Sequence, residues 1–262
     1  MEPSYNMKNS VLITGSTAGI GFETAKVLAN QGHKIYLNGR TEESTNAAIE
    51  RLRRLCDNAD IQGVVCDFSK PFDIASFPEG IDVLINNVGI YTSKPFSATS
   101  DEDWYAQFEV NCMSGVRLSR HYLPQMLASN YGRILFISSE CAYLAPEDMV
   151  SYSSTKAALH ALSRGLANAT RNSGVTVNTL VPGSTYTEGA ARFIEDKAAQ
   201  QKEDPTKVAQ SFIQAERPQS LIERFARTEE VAALIAFYAG PQSSAVNGSV
   251  IFCEGGSTGA TF

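Results

Sequence analysis

The sequence predicts an α/β protein in which seven parallel strands form one doubly wound sheet with helices on both faces. Short β-branched or apolar runs alternate with helical patterns along the chain, which is typical of a parallel sheet with right-handed crossovers. Most of these runs are continuously apolar, as in strands that are covered on both faces. We found no internal repeat or linker, so we expect a single domain over residues 1–262.

Each element follows from this alternation in chain order. The candidate strands lie at residues 11–14, 34–37, 63–66, 82–86, 133–138, 175–180 and 249–253. The candidate helices lie at residues 19–31, 42–57, 101–129, 151–173 and 228–240. Thr41 and Ser100 stand directly before acidic residues and are the predicted N-caps of the second and third helices.

Two connections depart from the alternation. The chain between Asp67 and Ile81 contains Pro71 and Pro78 and barely allows a crossover, so we expect a turn or a very short helix there. The segment 184–225, after the sixth strand, is long, helical and charged, with apolar residues spread through it. Long connections usually serve a function, and this position predicts a substrate-binding lid over the carboxyl ends of the strands.

Composition excludes several functions. The net charge of −6 and the pI near 5.2 argue against a nucleic-acid partner. No apolar run approaches the ~20 residues that span a bilayer, and the polar N-terminal segment lacks the apolar core of a secretory signal. We therefore expect no membrane partner and a cytoplasmic protein.

The five cysteines predict no disulfide or metal site. They stand at positions 56, 66, 112, 141 and 253 and form no C-x-x-C pair. We interpret them as reduced and mostly buried thiols. Cys141, two residues after Ser139, is the one candidate for a catalytic thiol, but none of the histidines is an obvious base for it.

A glycine-rich turn follows the first strand. It reads Thr14-Gly15-Ser16-Thr17-Ala18-Gly19-Ile20-Gly21 and opens the first helix. Its glycines permit a tight turn in which backbone N–H groups approach an anion, and the helix N-terminus favours a pyrophosphate. An ordinary glycine-rich βα turn is the alternative, but the strand before it and the helix after it favour nucleotide binding.

The end of the second strand indicates which nucleotide binds. A fold that prefers NAD would carry an acidic residue there, whereas this chain reads Leu37-Asn38-Gly39-Arg40-Thr41. Arg40 is able to pair with a 2′-phosphate. The sequence therefore favours NADP(H) over NAD(H); the alternative is that Arg40 is simply a solvated loop residue.

Tyr152 and Lys156 form a candidate catalytic pair. Their spacing of four places the phenol and the ammonium on one face of a helix, and Ser139 precedes Tyr152 by thirteen residues. A fixed positive charge favours the phenolate, so we expect Lys156 to lower the pKa of Tyr152 from ~10. Tyr152 would then exchange a proton with a substrate near neutral pH.

Taken together, these motifs make the sequence similar to the short-chain dehydrogenase/reductase family over nearly its whole length. The matching residues are the glycine turn from Thr14 to Gly21, Cys66-Asp67, Asn86-Asn87-Val88-Gly89, Asn111, Ser139, Tyr152-x-x-x-Lys156, Pro182-Gly183 and Glu254-Gly255-Gly256. The resemblance implies a single-domain Rossmann fold. Val88 replaces the usual alanine, and Ala18 stands where many NADP-preferring members have a basic residue, so Arg40 alone carries the cofactor prediction.

The resemblance also implies catalytic roles. Tyr152 would donate the proton in reduction and accept it in oxidation, and Ser139 would hydrogen-bond the substrate carbonyl oxygen. Ser139 is preferred to Ser138, which faces the other way if the strand continues. Lys156 would bind the nicotinamide ribose. Asn111 would locally interrupt its helix and hold a water that links Lys156 to solvent; an exposed helix-face amide is the alternative.

Further positions are implied for the cofactor. They are Asp67 and the Phe68 backbone for the adenine, Asn87 and Gly89 for the ribose and pyrophosphate side, Pro182 and Gly183 for the nicotinamide pocket, and Thr185 and Thr187 for the carboxamide or phosphates. A helix N-cap region is the alternative for the two threonines.

The expected function is NADP(H)-dependent hydride transfer between nicotinamide and a small-molecule carbonyl or secondary alcohol. A 3-oxoacyl thioester reductase is one family-level example, beside reductases of sugars, steroids and xenobiotic carbonyls. The alternative is a non-catalytic NADP(H)-binding sensor, which the presence of Ser139, Tyr152 and Lys156 disfavours. The resemblance implies a homotetramer or homodimer formed through helices 101–129 and 151–173, unless these helices only cover the sheet.

Overall fold

One sheet of seven parallel strands runs through residues 8–259, the part of the chain that the computed structural model describes. The remaining residues of the predicted 1–262 domain, including most of the polar N-terminal segment, lie outside the described residues. The strands are β1 (Ser10–Ile13), β2 (Lys34–Gly39), β3 (Ile61–Val65), β4 (Val83–Asn86), β5 (Gly132–Ile137), β6 (Val175–Pro182) and β7 (Val250–Cys253). Their order is β3-β2-β1-β4-β5-β6-β7, which confirms the predicted doubly wound α/β sheet.

Helices cover both faces of this sheet. They are α1 (Gly19–Asn30), α2 (Glu42–Leu55), α3 (Asp101–Phe108), α4 (Ser114–Ala128), α5 (Cys141–Leu144), α6 (Val150–Ala169), α7 (Glu188–Gln201), α8 (Pro205–Glu216) and α9 (Thr228–Ala239). Alternate residues of β1 enter different cores: Val11 and Ile13 pack in one, and Leu12 packs in the other. This period of two is the reason that the central strands are apolar without interruption.

The position of β1 locates the crevice. β1 pairs with β2 on one side and with β4 on the other, so the winding direction reverses there. In such sheets a ligand binds outside the carboxyl ends of the strands at the point of reversal. The residues that directly follow β1 and β4 therefore border the expected site.

The third crossover is short, as predicted. Between β3 and β4 the helical structure is a single 3-10 turn, Ile74–Ser76. The rings of Phe68, Phe72 and Phe77 pack together there, with centroids 5.2 to 6.1 Å apart. This aromatic cluster takes the place of a crossover helix against the sheet.

The predicted helix over 101–129 is confirmed as a helical stretch from Asp101 to Ala128, and so is its predicted local interruption at Asn111. Between α3 and α4 the backbone forms a π-helix, Glu109–Met113, in which the N–H of Ser114 donates to the carbonyl oxygen of Glu109. Asn111 lies at the centre of this turn and is buried.

The segment 184–225 folds as α7 and α8 around a small core of its own. Ile194, Ala198 and Val208 are buried there, and Phe212 and Phe225 pack against them. A parallel bridge between Thr185 and Ala226 closes the base of the segment. The segment thus has a small packing core of its own.

Within the described residues, no helix is long and apolar enough to cross a membrane. The five cysteines are free; four are buried and Cys253 is partly buried, which confirms the predicted pattern. Both predicted N-caps are confirmed, since Thr41 and Ser100 each form a capping box.

The capping box at Thr41 gives a test of the local energetics. The Thr41 hydroxyl oxygen accepts the N–H of Ser44 at 3.2 Å. We expect Thr41→Ala to lower the free energy of unfolding by about 1 kcal/mol, because this N–H loses its partner. Thr41→Ser keeps the acceptor and is the matched control. Chemical denaturation measures both, and equal losses in the two variants would contradict the capping role.

Candidate active site

The glycine turn between β1 and α1 has the conformation that its sequence requires. Gly15 and Gly19 have φ values of 60° and 58°, in the left-handed region that favours glycine. A Cβ on Gly21 would lie 2.5 Å from the side-chain nitrogen of Asn87. The third glycine therefore permits the close approach of α1 to the end of β4.

This turn fits an anionic group. The N-cap of α1 is Ala18, which offers no side-chain acceptor to the first N–H groups of the helix. The N–H of Gly19 instead donates to a carboxylate oxygen of Glu188 at 2.8 Å. The helix N-terminus thus already receives an oxyanion, which is the chemistry that a phosphate would present.

Glu188 was not predicted from the sequence. It lies in the first turn of α7, 169 residues from Gly19, and its other oxygen is 3.3 Å from the Arg51 guanidinium. Burial raises the pKa of Glu188, but the backbone N–H groups and Arg51 together hold it below its ordinary value. The carboxylate is therefore ionised where it meets the glycine turn.

A hydrogen-bond network locks the ends of β1, β2 and β4. The side-chain oxygen of Asn38 accepts the N–H of Gly15 at 2.9 Å. The Thr14 hydroxyl accepts the N–H groups of Asn87 and Val88 at 2.9 and 3.0 Å. Asn38 and Thr14 are buried, so this network fixes the turn relative to the neighbouring strands.

The remaining predicted residues of the glycine turn differ in their exposure. The Ser16 hydroxyl is buried and donates to the Ile13 carbonyl oxygen at 2.7 Å. Its side chain is therefore committed to the strand end. Thr17 and Ile20 are partly exposed, and Ile20 lines the cavity described below.

The predicted adenine side lies at the ends of β2 and β3. Arg40 follows β2 and is exposed. The Asp67 carboxylate accepts the Ser69 hydroxyl at 2.6 Å and the Ser69 N–H at 3.0 Å. These hydrogen bonds, with the charges of Lys70 and Arg40, lower the pKa of Asp67. Phe68 is buried in the aromatic cluster, which leaves its backbone as the part able to face a ligand.

Three of the four predicted catalytic residues, Ser139, Tyr152 and Lys156, share one cavity of about 180 Å³, and Asn111 lies outside its lining. Its lining comprises Ile20, Asn87, Gly89, Tyr91, Ile137, Ser138, Ser139, Tyr152, Lys156, Pro182, Gly183 and Thr185. The structure therefore brings the nucleotide side and the catalytic side of the prediction together. Tyr91 was not predicted; its ring centroid lies 6.0 Å from that of Tyr152.

Tyr152 and Lys156 lie on α6, one turn apart. The Lys156 nitrogen is 5.7 Å from the centroid of the Tyr152 ring and donates to the Ile137 carbonyl oxygen at 2.8 Å. Only 3% of Lys156 is exposed. The strand end thus holds the ammonium within the cavity wall.

The two serines after β5 differ in their contacts. The Ser138 hydroxyl donates to the Lys156 carbonyl oxygen at 2.9 Å and lies 2.8 Å from a ring nitrogen of His160. The Ser139 hydroxyl oxygen accepts the Cys141 N–H at 3.2 Å, and the hydroxyl also hydrogen-bonds Tyr152 within the cavity. This difference favours Ser139 as the serine that is available to a ligand.

The expected effect of Lys156 on the pKa of Tyr152 is wrong in this structure. Burial raises the pKa of Tyr152 above its ordinary value, against a smaller opposing effect of Ser139. Burial likewise lowers the pKa of Lys156 to about 8. The sequence argument considered the pair of charges alone, whereas desolvation penalises the charged form of each group.

Asn111 links three parts of the site. Its side-chain oxygen accepts the Ile90 N–H at 2.8 Å, and its nitrogen donates to the Ile90 carbonyl oxygen and to the Thr155 hydroxyl, both at 2.9 Å. The alternative of an exposed amide is therefore wrong. The π-helix directs this side chain between the loop after β4 and α6.

The hydroxyl groups of Thr185 and Thr187 have different hydrogen-bond partners. The Thr185 hydroxyl donates to the Gly183 carbonyl oxygen at 2.9 Å. Thr187 is the N-cap of α7, with its hydroxyl oxygen accepting the Ala190 N–H at 3.2 Å. A Cβ on Gly19 would lie 3.3 Å from the Thr187 methyl group, so Thr187 adjoins the glycine turn.

Cys141 is unsuited to nucleophilic catalysis in this arrangement. Its thiol is buried, and burial raises its pKa above the ordinary value, so the nucleophilic thiolate is disfavoured. Within residues 8–259, no cluster of three or more His, Cys, Asp or Glu side chains is arranged to hold a metal ion.

Comparisons with known proteins agree with this geometry. A family model described as short chain dehydrogenase matches residues 9–198. An uncharacterised oxidoreductase of Bacillus subtilis is 43% identical over 252 residues, 94% of this chain and 95% of that protein. A 3-oxoacyl-[acyl-carrier-protein] reductase of Aquifex aeolicus is 31% identical over 252 residues, 94% of this chain and 95% of that protein.

A solved structure extends the comparison to three dimensions. L-sorbose reductase of Gluconobacter frateurii, complexed with NADPH and L-sorbose, superposes with a TM-score of 0.90 at 27% identity over 97% of each chain. The family model covers most of the chain, and the bacterial relatives cover nearly all of it. This chain therefore belongs to the short chain dehydrogenase family and is an oxidoreductase.

Proposed function

We propose that this protein is an NADP(H)-dependent oxidoreductase that interconverts a small-molecule carbonyl and the corresponding secondary alcohol. The observation that carries the proposal is the shared cavity, in which Ser139, Tyr152 and Lys156 face Asn87 and Gly89. A reacting carbonyl placed there would meet both a proton donor and the nucleotide side of the site.

The chain offers the groups that such a cofactor needs. Backbone N–H groups of the glycine turn suit its pyrophosphate, and Arg40 suits a 2′-phosphate. Asp67 lies at the adenine side, and Thr185 and Thr187 lie beside the nicotinamide and phosphate positions. The NADPH bound by the similar L-sorbose reductase supports the same choice. When bound, the nicotinamide supplies or accepts the hydride.

Tyr152 and Ser139 would handle the carbonyl oxygen. Because burial raises the pKa of Tyr152, the phenol is protonated at neutral pH, which is the state that a proton donor requires. The Ser139 hydroxyl contacts Tyr152 and lines the same cavity, so both hydroxyl groups would donate to one substrate oxygen. Two hydroxyl groups then stabilise the charge that develops on this oxygen during reduction.

Lys156 and Asn111 would complete the proton path. An ammonium has three N–H donors, and the Ile137 carbonyl engages one of them, which leaves donors for the ribose hydroxyls. A Cβ at Gly89 would lie 3.2 Å from the Lys156 nitrogen and 3.5 Å from the Asn111 oxygen. The missing side chain leaves space between these two polar groups, which supports a bridging water.

The part of the substrate that enters the cavity is proposed to be uncharged and to have an apolar portion. Lys156 is the one charged side chain among the described lining residues of the cavity, and the Tyr91 ring borders the Tyr152 side. We propose that the segment 184–225 is the lid, since Tyr186 and Phe193 are exposed on it.

We base the proposed oligomeric state on the family resemblance and the proposed cellular location on the free cysteines. The exposed Tyr105 and Phe108 of α3 support pairing of copies as a homotetramer, which sedimentation would detect as four times 28.4 kDa. The unpaired thiols support a reducing compartment and hence cytoplasmic residence.

Oxidation of NADPH in the presence of carbonyl compounds tests the proposed reaction. We expect the absorbance of NADPH to fall with at least one of acetoacetyl-CoA, ethyl acetoacetate, L-sorbose and cyclohexanone. Tyr152→Phe removes the transferable proton, so we expect turnover to fall about 10²- to 10⁴-fold. NADPH binding, measured by fluorescence, should be retained; substantial residual turnover would contradict the proton-transfer role.

The pH dependence of turnover tests the state of Lys156. Since the pKa of Lys156 is lowered to about 8, its charge is present below that pH and lost above it. We expect kcat for reduction to fall as the pH rises through this value. In Lys156→Arg the cation does not titrate, so the fall near this pH should disappear even if kcat is lower. The same inflection in both proteins would assign it to another group.

Arg40 is expected to set the cofactor preference. Arg40→Asp places a carboxylate beside the 2′-phosphate position, so we expect the ratio of kcat/KM for NADPH to that for NADH to fall at least about tenfold, or ~1.4 kcal/mol. Arg54→Asp is the control, since it makes the same charge change at an exposed position of α2. An unchanged ratio in Arg40→Asp would remove the argument for the phosphate.

A further inference from the structure

A buried carboxylate directly follows the candidate catalytic serine. Only 2% of Glu140 is exposed, and its N–H donates to the Pro182 carbonyl oxygen at 2.9 Å. An ionised carboxylate in such a position requires charged or hydrogen-bonding partners. These partners come from three segments that are distant in the chain.

The partners converge on both carboxylate oxygens. One oxygen accepts the Ser184 hydroxyl at 2.8 Å and the Arg217 Nε at 2.5 Å. The other oxygen lies within hydrogen-bond distance of the Ser257 hydroxyl, whose single proton it shares with a carboxylate oxygen of Glu254 at 3.0 Å. One side chain therefore joins the turn after β5, both ends of the segment 184–225 and the chain beyond β7.

Arg217 is committed to this contact. Its side chain is 12% exposed and follows the last residue of α8. Its remaining N–H groups donate to the Glu216 carbonyl oxygen at 2.7 Å and approach the Cys141 sulfur at 3.9 Å. Arg217 thus contacts both Glu140 and Cys141, the first residue of α5.

No ligand-sized space adjoins the ion pair. The cavity between Glu140, Arg217, Glu254 and Ser257 measures about 10 Å³, which holds at most one water molecule. A substrate anion consequently has no room beside Arg217 in this conformation. The guanidinium serves an internal contact.

The position of Ser139 depends on the same turn. Its hydroxyl accepts the Cys141 N–H, and its carbonyl oxygen accepts the Ala142 N–H at 3.0 Å. Glu140 lies between these contacts, and its carboxylate binds Arg217 at the end of α8. A chain of contacts therefore connects α8 to Ser139.

We propose that Glu140 and Arg217 are positioning residues that hold the Ser139 hydroxyl in its reactive orientation by joining the turn after β5 to α8. This inference rests on the proposed function for its catalytic consequence. A buried ion pair is weak evidence for stability, since apolar residues often replace one without loss. Because this ion pair lies beside Ser139, it has a positioning role that does not depend on any contribution to stability.

Three variants test the proposal: Glu140→Gln, Arg217→Met and the double variant, which leaves no unpaired buried charge. Arg192→Met is the control, an exposed arginine on α7 of the same segment. Each folded variant is assayed for kcat, for NADPH affinity by fluorescence and for amide hydrogen exchange. Thermal unfolding establishes which variants are folded. If a single variant does not fold, the double variant is used to test the proposal.

We expect each single substitution to lower kcat at least about tenfold with less than about threefold change in NADPH affinity, because the serine and not the nucleotide site is displaced. The kcat of the double variant should be no lower than that of the less active single variant, as expected for two residues that act as one unit. Exchange should accelerate together in residues 139–144 and in α8. Arg192→Met should change none of these quantities.

Three results would overturn the proposal. They are a kcat within about twofold of the unsubstituted protein in a folded variant, a loss in the double variant equal to the product of the single losses, and faster exchange in α8 alone. If the unsubstituted protein oxidises NADPH with none of the carbonyl compounds, the proposed function fails instead. The exchange measurement needs no substrate, so it still decides whether the two segments are coupled.

Discussion

The parallel direction of the seven strands is the constraint on which the candidate site depends. Because every strand runs the same way, the residues after β1, β4, β5 and β6 all emerge at one edge of the sheet. Gly15, Asn87, Ser139 and Gly183 occupy these positions. Hydrogen bonds between strand ends, such as those of Thr14 with Asn87 and Val88, then fix their spacing. The sheet thus determines the spacing of these four positions.

The sequence predicted what local spacing determines. Tyr152 and Lys156 share one helical turn, and the glycines from 15 to 21 share one loop, so their proximity needs no tertiary information. The contacts of Glu188 with Gly19 and of Arg217 with Glu140 join residues 169 and 77 positions apart. No period or motif relates such residues; their meeting depends on how α7 and α8 pack over the strand ends.

Burial explains the electrostatic prediction that was wrong. Residue spacing indicates that a cation stands beside a phenol, and this alone would lower the pKa of Tyr152. Both groups, however, lie within the fold, where loss of hydration raises the pKa of Tyr152 and lowers that of Lys156. The balance between pairing and desolvation is set by tertiary packing, which the spacing of two residues does not report. The observed direction still suits a proton donor, because the phenol remains protonated.

The π-helix between α3 and α4 restricts chain length as well as residue type. The side chains of Gln107 and Asn111 donate to the Ser151 and Thr155 hydroxyl groups of α6 at 2.7 and 2.9 Å. Gln107 precedes the first residue of the π-helix, Glu109, and Asn111 follows it. Removing one residue from the turn would rotate α3 by about 100° relative to α4, so the two contacts could not both persist. The interval from 107 to 111 therefore has a fixed length. A change of register there would separate the loop after β4 from α6 without altering a single catalytic side chain.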